Sequence, residues 1–285
     1  MGMDPLEVRE LRYFLTVAEE LHFGRAAGRL SIAQPALSKT IQRTEARLGV
    51  QLFTRTSRNV TLTRAGEALL EHGRVALTAM TAAVQSAQRA GRDDHLRLVL
   101  KPGGDANLLS GILAAYATTP GAHQVDILFS GSTDRVDHLL DGRADVALLY
   151  APFDDLTGLA HEELRTEDRV AVLPATHRLA DRAAVHLADL KDETFPRWRG
   201  VGGAVGQGPE VADVAELIPL VAIGRVIAVL PRSLVSPVPP GLVMVTVEDA
   251  EPSHLLVAHL AHDNRDSVRA FVHAARASVA GVIAN

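Results

Sequence analysis

A proline near the start of a predicted helix, set in a strongly basic stretch, most constrains the fold of this chain. The stretch covers residues 24–63. Pro35 suits a first helical turn, because its missing N–H has no intrahelical partner there and its ring fixes φ. Apolar residues recur behind it at helical spacing, and side chains suited to base edges or phosphates project the other way. The inward residues are Leu37, Ile41 and Leu48, and the outward ones are Gln34, Ser38, Lys39, Gln42 and Arg43.

The segments on either side of this helix predict a helix-turn-helix with a wing. A short helix over residues 25–30 is joined to the central helix by a tight turn at Ser31 and Ile32. Two strands follow, at residues 51–55 and 59–62. They predict a β-hairpin that carries Arg55 and Arg58.

The charge of this stretch is concentrated and positive. Residues 25–64 contain eight Lys or Arg side chains against one acid, Glu45, which gives a net charge of +7. Residues 1–91 carry 12 basic and 8 acidic side chains, a net of +4, whereas residues 92–285 carry 17 and 26, a net of −9. Double-stranded DNA is therefore the expected partner, and the acidic remainder is expected to stay away from phosphate.

Six sequence blocks in this region point to one family. In this order and spacing, across residues 11–66, they resemble the LysR-type transcriptional regulators. The blocks are Leu11-Arg12-Tyr13-Phe14, Phe23-Gly24-Arg25-Ala26-Ala27, Gln34-Pro35-Ala36-Leu37-Ser38, Glu45-Ala46-Arg47-Leu48-Gly49, Leu52-Phe53-Thr54-Arg55 and Leu62-Thr63-Arg64-Ala65-Gly66.

Two positions depart from the family pattern. Ala33 stands where the family usually has Ser, and Thr44 stands where it usually has Leu. Loss of a Ser at a helix N-cap costs about 1 kcal/mol. It also removes one expected phosphate contact, so we expect modest DNA affinity unless Gln34 or water substitutes.

The basic helix and the resemblance together predict the residues that contact DNA. The central helix is expected to enter the major groove, and the wing is expected to hold the backbone or the minor groove. The predicted DNA-binding residues are Arg25, Arg29, Ala33, Gln34, Pro35, Ser38, Lys39, Gln42, Arg43, Arg55 and Arg58.

A long helix is predicted from a cap at Thr63 to a stop at Gly91. Its small and apolar seam must be buried, either against the same helix of a second chain or against its own domain. The resemblance favours the second chain, because LysR-type proteins dimerise through this helix, and a homotetramer is expected as well. The seam residues are Ala65, Leu69, His72, Ala76, Met80, Ala83 and Ala87.

Apolar strand candidates alternate with helical stretches in the rest of the chain. The strands lack polar alternation, which is typical of a sheet covered on both faces, so the pattern predicts an α/β fold with a parallel core. The strand candidates are residues 96–100, 125–129, 146–150, 170–173, 226–230, 242–247 and 255–258, and the helices are residues 108–117, 136–140 and 265–280.

This region resembles the LysR effector domain, which is related to type 2 periplasmic solute-binding proteins. Residues 142–147 and 229–233 match family patterns. The resemblance implies two lobes with a cleft between them, joined by crossings near residues 162–167 and 251–254. Between Trp198 and Asp213 a short Gly-rich passage replaces a strand end, a helix and a strand, so a shortened second lobe is expected.

These patterns divide the chain into three parts. The expected parts are a winged helix-turn-helix at residues 1–62, a dimerisation linker helix at residues 63–91 and an effector domain at residues 92–285. Lobe I is expected at residues 92–164 and 253–285, and lobe II at residues 165–252.

Loops after the predicted strands carry the candidate effector-binding residues. In α/β folds, ligands bind beyond the carboxyl ends of strands, where helix N-termini favour anions. Lys101 stands where the family usually places a hydroxyl, so we expect an anionic effector, such as a carboxylate; a solvated loop lysine is the alternative. Ser132 or Thr133 suits a helix N-cap as well as ligand contact, and Trp198 suits the core as well as the cleft. The candidates are Lys101, Gly103, Gly104, Ser132, Thr133, Pro152, Phe153 and Gly202.

Composition and motif patterns argue against other classes. The absence of cysteine excludes disulfides and thiolate metal sites. The histidines at 254, 259 and 262 match no zinc-binding spacing, and no dinucleotide or catalytic-triad signature is present, so neither an enzyme nor a cofactor is expected. No apolar run is long enough for a membrane span, and the N-terminal residues do not resemble a leader, so a cytoplasmic location without membrane contact is expected.

The sequence thus predicts a sequence-specific DNA-binding regulator with a small-molecule effector, and RNA polymerase is a further candidate partner. Two alternatives stay open. One is a regulator whose short second lobe binds no ligand and serves assembly. The other is a solute-binding or enzymatic α/β protein with an incidental helical N-terminus, against which the basic stretch argues.

Overall fold

The computed structural model describes residues 6–55, 59–89, 95–131, 134–199 and 206–283. The chain divides into two compact units, residues 1–86 and 87–285. Among the described helices, none is both long and apolar enough to cross a lipid bilayer.

The first unit is a three-helix core with a two-stranded wing and a long helix. Phe14 and Phe53 pack with ring centroids 5.4 Å apart, and Leu37 and Ile41 are completely buried beneath them, as the helical spacing predicted. The elements are α1 (Val8–Glu20), α2 (Phe23–Arg29), α3 (Gln34–Leu48), β1 (Phe53–Arg55), β2 (Val60–Leu62) and α4 (Arg64–Arg89).

Glu45 joins α3 to the wing. Its Oε1 accepts hydrogen bonds from the backbone N–H groups of Leu52 and Phe53, at 2.9 and 3.1 Å. Its Oε2 lies 3.2 Å from Nη2 of Arg55. Charge-assisted bonds of this kind are stronger than neutral ones, so the single acid of the basic stretch fixes the wing against the helix.

The start of α4 is set by Thr63 and Gly66. The Thr63 Oγ1 accepts a hydrogen bond from the Gly66 N–H at 3.0 Å, which is the predicted cap. A Cβ on Gly66 would collide with the carbonyl oxygen of Leu52, so the glycine permits the close approach of α4 to the wing. The helix has 26 residues and a length of about 40 Å. The predicted stop at Gly91 lies outside the described residues.

An ion pair between α1 and α3 lies inside the first unit. The guanidinium of Arg47 binds the carboxylate of Glu10, whose side chain is only 3% exposed. Burial acts to raise the pKa of Glu10, but the bond from Arg47, the N–H of Glu7 and the charge of Arg43 outweigh it, so the pKa lies below its usual value. Arg47 was counted in the basic stretch, yet its charge is neutralised within the fold.

The second unit contains a five-stranded mixed sheet in the order β4-β3-β5-β13-β6. The strands β3, β4 and β5 are parallel, as predicted, but β13 runs antiparallel to both of its neighbours. The predicted parallel core is thus formed by β3, β4 and β5, and β13, which returns from the other lobe, adds an antiparallel strand whose direction the sequence did not predict. The elements are β3 (His95–Leu100), α5 (Leu109–Ala117), β4 (Gln124–Phe129), α6 (Asp134–Leu140), β5 (Val146–Ala151), β6 (Leu159–Glu167), β13 (Ser253–Leu260) and α8 (Asp266–Ile283).

A smaller four-stranded sheet in the order β11-β7-β12-β8 forms the second lobe. It is mostly antiparallel, and α7 packs against it. The Gly-rich passage retains a parallel pair, β9 with β10, where the sequence predicted the loss of a strand. The elements are β7 (Arg169–Pro174), β8 (Ala184–Val185), β9 (Arg197–Trp198), β10 (Glu210–Val211), α7 (Val214–Ala222), β11 (Ala228–Pro231) and β12 (Leu242–Val247).

The two sheets are joined by two adjacent crossings. The first lies at Asp168, between β6 and β7, and the second spans residues 248–252, between β12 and β13. Ser253 pairs with Glu167 at the point where both strands leave the first sheet. The two connections between the lobes therefore lie side by side.

We expect Arg47→Ala to weaken the first unit by about 3 kcal/mol, because it leaves the buried Glu10 carboxylate without its partner. Hydrogen exchange of the amides in α1 and α3 measures this loss, and Gln42→Ala, on the exposed face of α3, is the control. Since the folded pKa of Glu10 is depressed, its contribution is complete above pH 4.5 and is lost as the pH falls through the folded value. Unchanged protection in Arg47→Ala would contradict this account.

Candidate nucleic-acid interface and effector cleft

The outward face of α3 presents most of the predicted DNA-binding residues together. Gln34, Pro35, Lys39, Gln42 and Arg43 are exposed, whereas Ser38 is partly buried. Ala33 occupies the N-cap and makes no side-chain hydrogen bond there. The Thr44 side chain, by contrast, is buried and donates to the Thr40 carbonyl at 3.1 Å, so this second departure is accommodated inside the fold.

The basic residues of this unit differ in how they are neutralised. Arg25 lies 3.1 Å from Glu20, and Arg29 lies 2.7 Å from Glu19. Within the described part of the chain, no carboxylate lies within 4.0 Å of the cationic nitrogens of Lys39 or Arg43. These two side chains therefore hold the most available positive charge on α3.

Two further residues that concern the predicted DNA-binding surface are Arg58 and His22. Arg58, predicted at the wing, lies outside the described residues. His22 was not predicted; it caps α2, with its Nδ1 3.2 Å from the backbone N of Arg25. The position of His22 directly before a short predicted helix could have indicated a cap, but histidine is a less usual N-cap than Ser, Thr, Asp or Asn.

A tight turn begins at Lys101, directly after the carboxyl end of β3. The Gly104 N–H donates to the Lys101 carbonyl at 2.8 Å, and Gly103 has φ of +67°. Pro102 and Gly103 thus occupy the positions that a type II turn prefers for these residues. A Cβ on Gly104 would lie 2.8 Å from Cβ of Lys101, so Gly104 leaves space for the lysine stem.

A buried ion pair lies beside this turn. Nη2 of Arg135 lies 2.7 Å from Oδ1 of Asp154, and both side chains are at most 8% exposed. Arg135 also donates to the Ser130 carbonyl at 3.2 Å, and Asp154 accepts from the Tyr150 N–H at 2.8 Å. The pair therefore ties the ends of β4 and β5 to the start of α6.

The Lys101 ammonium lies between the two lobes. Its Nζ is 5.1 Å from the ring centroid of Trp198, and that ring also packs against the core of the second lobe. Burial lowers the pKa of Lys101 to about 8, and the charge of Arg135 acts in the same direction. Asp154 and Asp213 oppose both effects. The two roles considered for Trp198, core and cleft, are both present.

A second aromatic contact crosses from the first lobe to the second. The guanidinium of Arg169 lies 5.0 Å from the centroid of the Phe153 ring, and Arg169 donates to the Val229 carbonyl at 3.0 Å. Phe153 is 49% exposed and follows Pro152, whose peptide bond with Ala151 is cis. Pro152 and Phe153 directly precede Asp154 in the chain, so they lie next to the Arg135–Asp154 pair.

Ser233 connects the lobes near the crossings. Its N–H and hydroxyl each donate to the Glu167 carboxylate at 2.8 Å, and its Oγ lies 3.1 Å from the Tyr150 hydroxyl. Burial raises the pKa of Tyr150 above its ordinary value. None of these three residues was predicted as part of the site.

The predicted effector residues are thus only partly brought together. Lys101, Gly103, Gly104, Pro152 and Phe153 lie at neighbouring strand ends, while Ser132, Thr133 and Gly202 lie outside the described residues. The sequence missed Arg135, Asp154 and Asp213. Asp154 immediately follows the predicted loop at Pro152 and Phe153, and Arg135 lies two residues after the loop at Ser132 and Thr133. Asp213 caps α7 by accepting from the Glu216 N–H at 2.9 Å.

Two family models match these two units. "Bacterial regulatory helix-turn-helix protein, lysR family" matches residues 8–67, and "LysR substrate binding domain" matches residues 89–280. The chain belongs to the LysR family. The winged unit and the two-lobed unit of this LysR-family protein are its helix-turn-helix and substrate-binding domains.

Named relatives of this LysR-family protein are transcriptional regulators. The HTH-type transcriptional regulator AlsR of Bacillus subtilis is 37% identical over 66% of the chain and 63% of its own length. The HTH-type transcriptional regulator XapR of Escherichia coli is 30% identical over 89% of the chain and 92% of its own length.

Solved LysR structures share the fold. A structure of CbnR, a LysR family transcriptional regulator, has a TM-score of 0.58 and 22% identity, and covers 96% of this chain and 99% of its own. Full-length BenM has a TM-score of 0.52 and 26% identity, and covers 97% of this chain and 98% of its own. These similarities agree with the winged helix-turn-helix and the two-lobed α/β domain.

We expect the Lys101 amine to titrate near pH 8, and Asp213→Asn to lower its pKa further, because the Asp213 charge favours the ammonium. Asn retains the ability to cap α7. The ¹³Cε shift of isotope-labelled lysine measures the pKa, and Lys101→Arg assigns the signal. A higher pKa in Asp213→Asn would contradict the electrostatic account.

Proposed function

We propose that this LysR-family regulator reads DNA with the outward face of α3 and responds to an anionic effector held at Lys101. The observation that supports the DNA-binding residues most is the exposed pair Lys39 and Arg43, which have no carboxylate partner in the described residues. The proposed parts are residues 1–62 for DNA, 63–91 for dimerisation and 92–285 for the effector.

In this proposal α3 lies in the major groove. Gln34 and Gln42 have amide groups suited to base edges, and Lys39 and Arg43 suit guanine or phosphate. Arg25, Arg29, Arg55 and Arg58 hold the sugar-phosphate backbone, and Ala33, Pro35 and Ser38 complete the surface. The ion pairs of Arg25 and Arg29 are exposed and weak, so phosphate can replace their carboxylate partners. Full-length CbnR, which has this fold, has been solved in complex with its target DNA.

Lys39→Ala and Arg43→Ala should each weaken binding to a selected genomic duplex by about 1–3 kcal/mol, whereas Arg25→Ala should cost less because its charge is shared with Glu20. Fluorescence anisotropy at fixed salt measures the affinity, and Arg225→Ala, an exposed change in the second unit, is the control. A loss that is equal on selected and random DNA would remove the base-reading role of that residue. No loss for either change on α3 would overturn the proposed interface.

A homodimer is proposed through α4, which leaves three large apolar side chains exposed. Val75, Met80 and Val84 are 68%, 48% and 47% exposed, which is costly for a helix that stays alone. At about 3.6 residues per turn, Met80 and Val84 lie on one side of α4 and Val75 lies opposite Val84, so a second copy of α4 would cover Met80 and Val84. Pairs of dimers would give the tetramer. Analytical ultracentrifugation of the purified chain tests both states. RNA polymerase is proposed as a contact of the DNA-bound form.

The effector site is proposed at the ends of β3, β4 and β5. Lys101 supplies a cation, Gly103 permits the turn through its positive φ, Gly104 leaves space for the lysine stem, and Phe153 and Trp198 supply aromatic faces. Pro152, Ser132, Thr133 and Gly202 complete the proposed lining. Because Lys101 and Trp198 belong to different lobes, an anion bound between them favours one lobe arrangement over others. The response is then a shift in population that reaches the DNA-binding units.

Small carboxylates should raise the melting temperature of the wild-type chain and lose this effect in Lys101→Ala, because the mutant lacks the cation at the proposed site. A thermal-shift screen measures both, and Lys191→Ala, an exposed lysine of the second unit, is the matched control. A rise that survives in Lys101→Ala would place the anion elsewhere. No response to any carboxylate would favour a regulator whose second unit serves assembly.

A further inference from the structure

Lys101 has an environment that a simple anion anchor does not require. Its side chain is partly buried, its Nζ faces the Trp198 ring at 5.1 Å, and Gly104 makes room for its stem. The charges around it are Arg135 from α6, Asp154 after β5 and Asp213 before α7. Asp154 is bound to Arg135 and Asp213 caps α7, and among the described residues neither approaches Nζ within 4.0 Å.

Burial and the charge of Arg135 favour the neutral amine, whereas the Trp198 face, Asp154 and Asp213 favour the ammonium, and the net result is a lowered pKa. Removal of water penalises the ammonium, and a neighbouring guanidinium penalises it again. An amine that has lost its proton is a nucleophile, and desolvation beside another cation is the arrangement that activates lysines for attack on carbonyl groups. Arginine cannot take this role because it stays charged.

We infer that Lys101 captures a carbonyl-bearing effector, such as a 2-oxo acid, through a reversible imine. This inference rests on the proposed effector site and specifies the chemistry of its ligand. The Nζ lone pair attacks the carbonyl carbon, the carbonyl electrons move to oxygen, and a proton moves from nitrogen to that oxygen to form a neutral carbinolamine. Uptake of one proton from solvent and loss of one water then give the protonated imine, and addition of water with release of that proton reverses the step. No electrons are transferred, so no oxidant or reductant is needed.

The surrounding groups suit each part of such a ligand. The face of Trp198 stabilises the cationic iminium. A carboxylate next to the reacting carbon offsets the charge of Arg135 while the Arg135–Asp154 pair stays intact. With a pKa of about 8, roughly a tenth of Lys101 is neutral at pH 7, which is enough for capture.

The chain is well suited to a trapping experiment because it has three lysines, Lys39, Lys101 and Lys191. The wild-type chain is incubated at pH 7 with pyruvate or glyoxylate and sodium cyanoborohydride, which reduces the protonated imine to a stable amine. Peptide mapping by mass spectrometry then gives the modified fraction at each lysine and at the α-amino group. Lys39 and Lys191 are exposed and serve as internal controls.

The expected result is modification of Lys101 at about ten times the rate of Lys39 and Lys191, because more of its amine is neutral. The rate should increase between pH 6 and 8 as Lys101 loses its proton. In Lys101→Arg this adduct is lost while the other two lysines react as before. Equal rates at the three lysines, or no adduct at Lys101 with either probe, would overturn the inference.

Lactate separates failure of this inference from failure of the proposed site, because it resembles pyruvate but has no carbonyl to attack. If lactate and pyruvate raise the melting temperature equally and Lys101 is not modified, the cleft binds an anion and the imine is wrong. If pyruvate alone raises the melting temperature and modifies Lys101, the imine is supported. If Lys101 is modified but no carboxylate changes the melting temperature, the lysine is reactive without an effector site, which also overturns the inference.

Discussion

The Arg135–Asp154 ion pair is the interaction on which the geometry of the cleft depends. A buried charge without a partner costs several kcal/mol, so the two side chains must stay together, and their remaining polar atoms must find backbone partners. Those partners are the Ser130 carbonyl and the Tyr150 N–H, at the ends of two different strands. Because the Asp154 carboxylate is bound to Arg135, it only partly offsets the effects that lower the pKa of Lys101. The pKa of the lysine is therefore lowered first by its own burial and then by the Arg135 charge of this pair.

In the DNA-binding unit, too, a buried carboxylate is paired with an arginine, and here the pairing decides which basic side chains remain available to DNA. Glu10 of α1 binds Arg47 and neutralises it inside the fold, and Glu45 of α3 holds Arg55 at the wing. In exchange they fix α1 and the wing to α3. The positive charge that is left on α3 is concentrated at Lys39 and Arg43, on the face away from the core. A count of charges along the sequence cannot separate these two groups of arginines.

Residue spacing in the sequence correctly predicted the structural features that depend only on residues close together in the chain. The buried stripe of Leu37 and Ile41, the Thr63 cap and the three parallel strands all follow from spacing within one segment. The direction of β13, the short β9–β10 pair and the association of Arg135 with Asp154 depend on contacts between distant segments. For the same reason, the sequence indicated Lys101 as a candidate but gave no sign of the neighbours that lower its pKa.

The paired crossings between the lobes give their motion a simple form. Since both connections lie side by side, beginning at the Ser253–Glu167 pair, the lobes share a single hinge line rather than two separated pivots. Rotation about that line changes the separation of Lys101 and Trp198 and the gap between Gly131 and Asp213 together. For a rotation of this kind, the distance between Lys101 and Trp198 alone would describe how far the cleft is open.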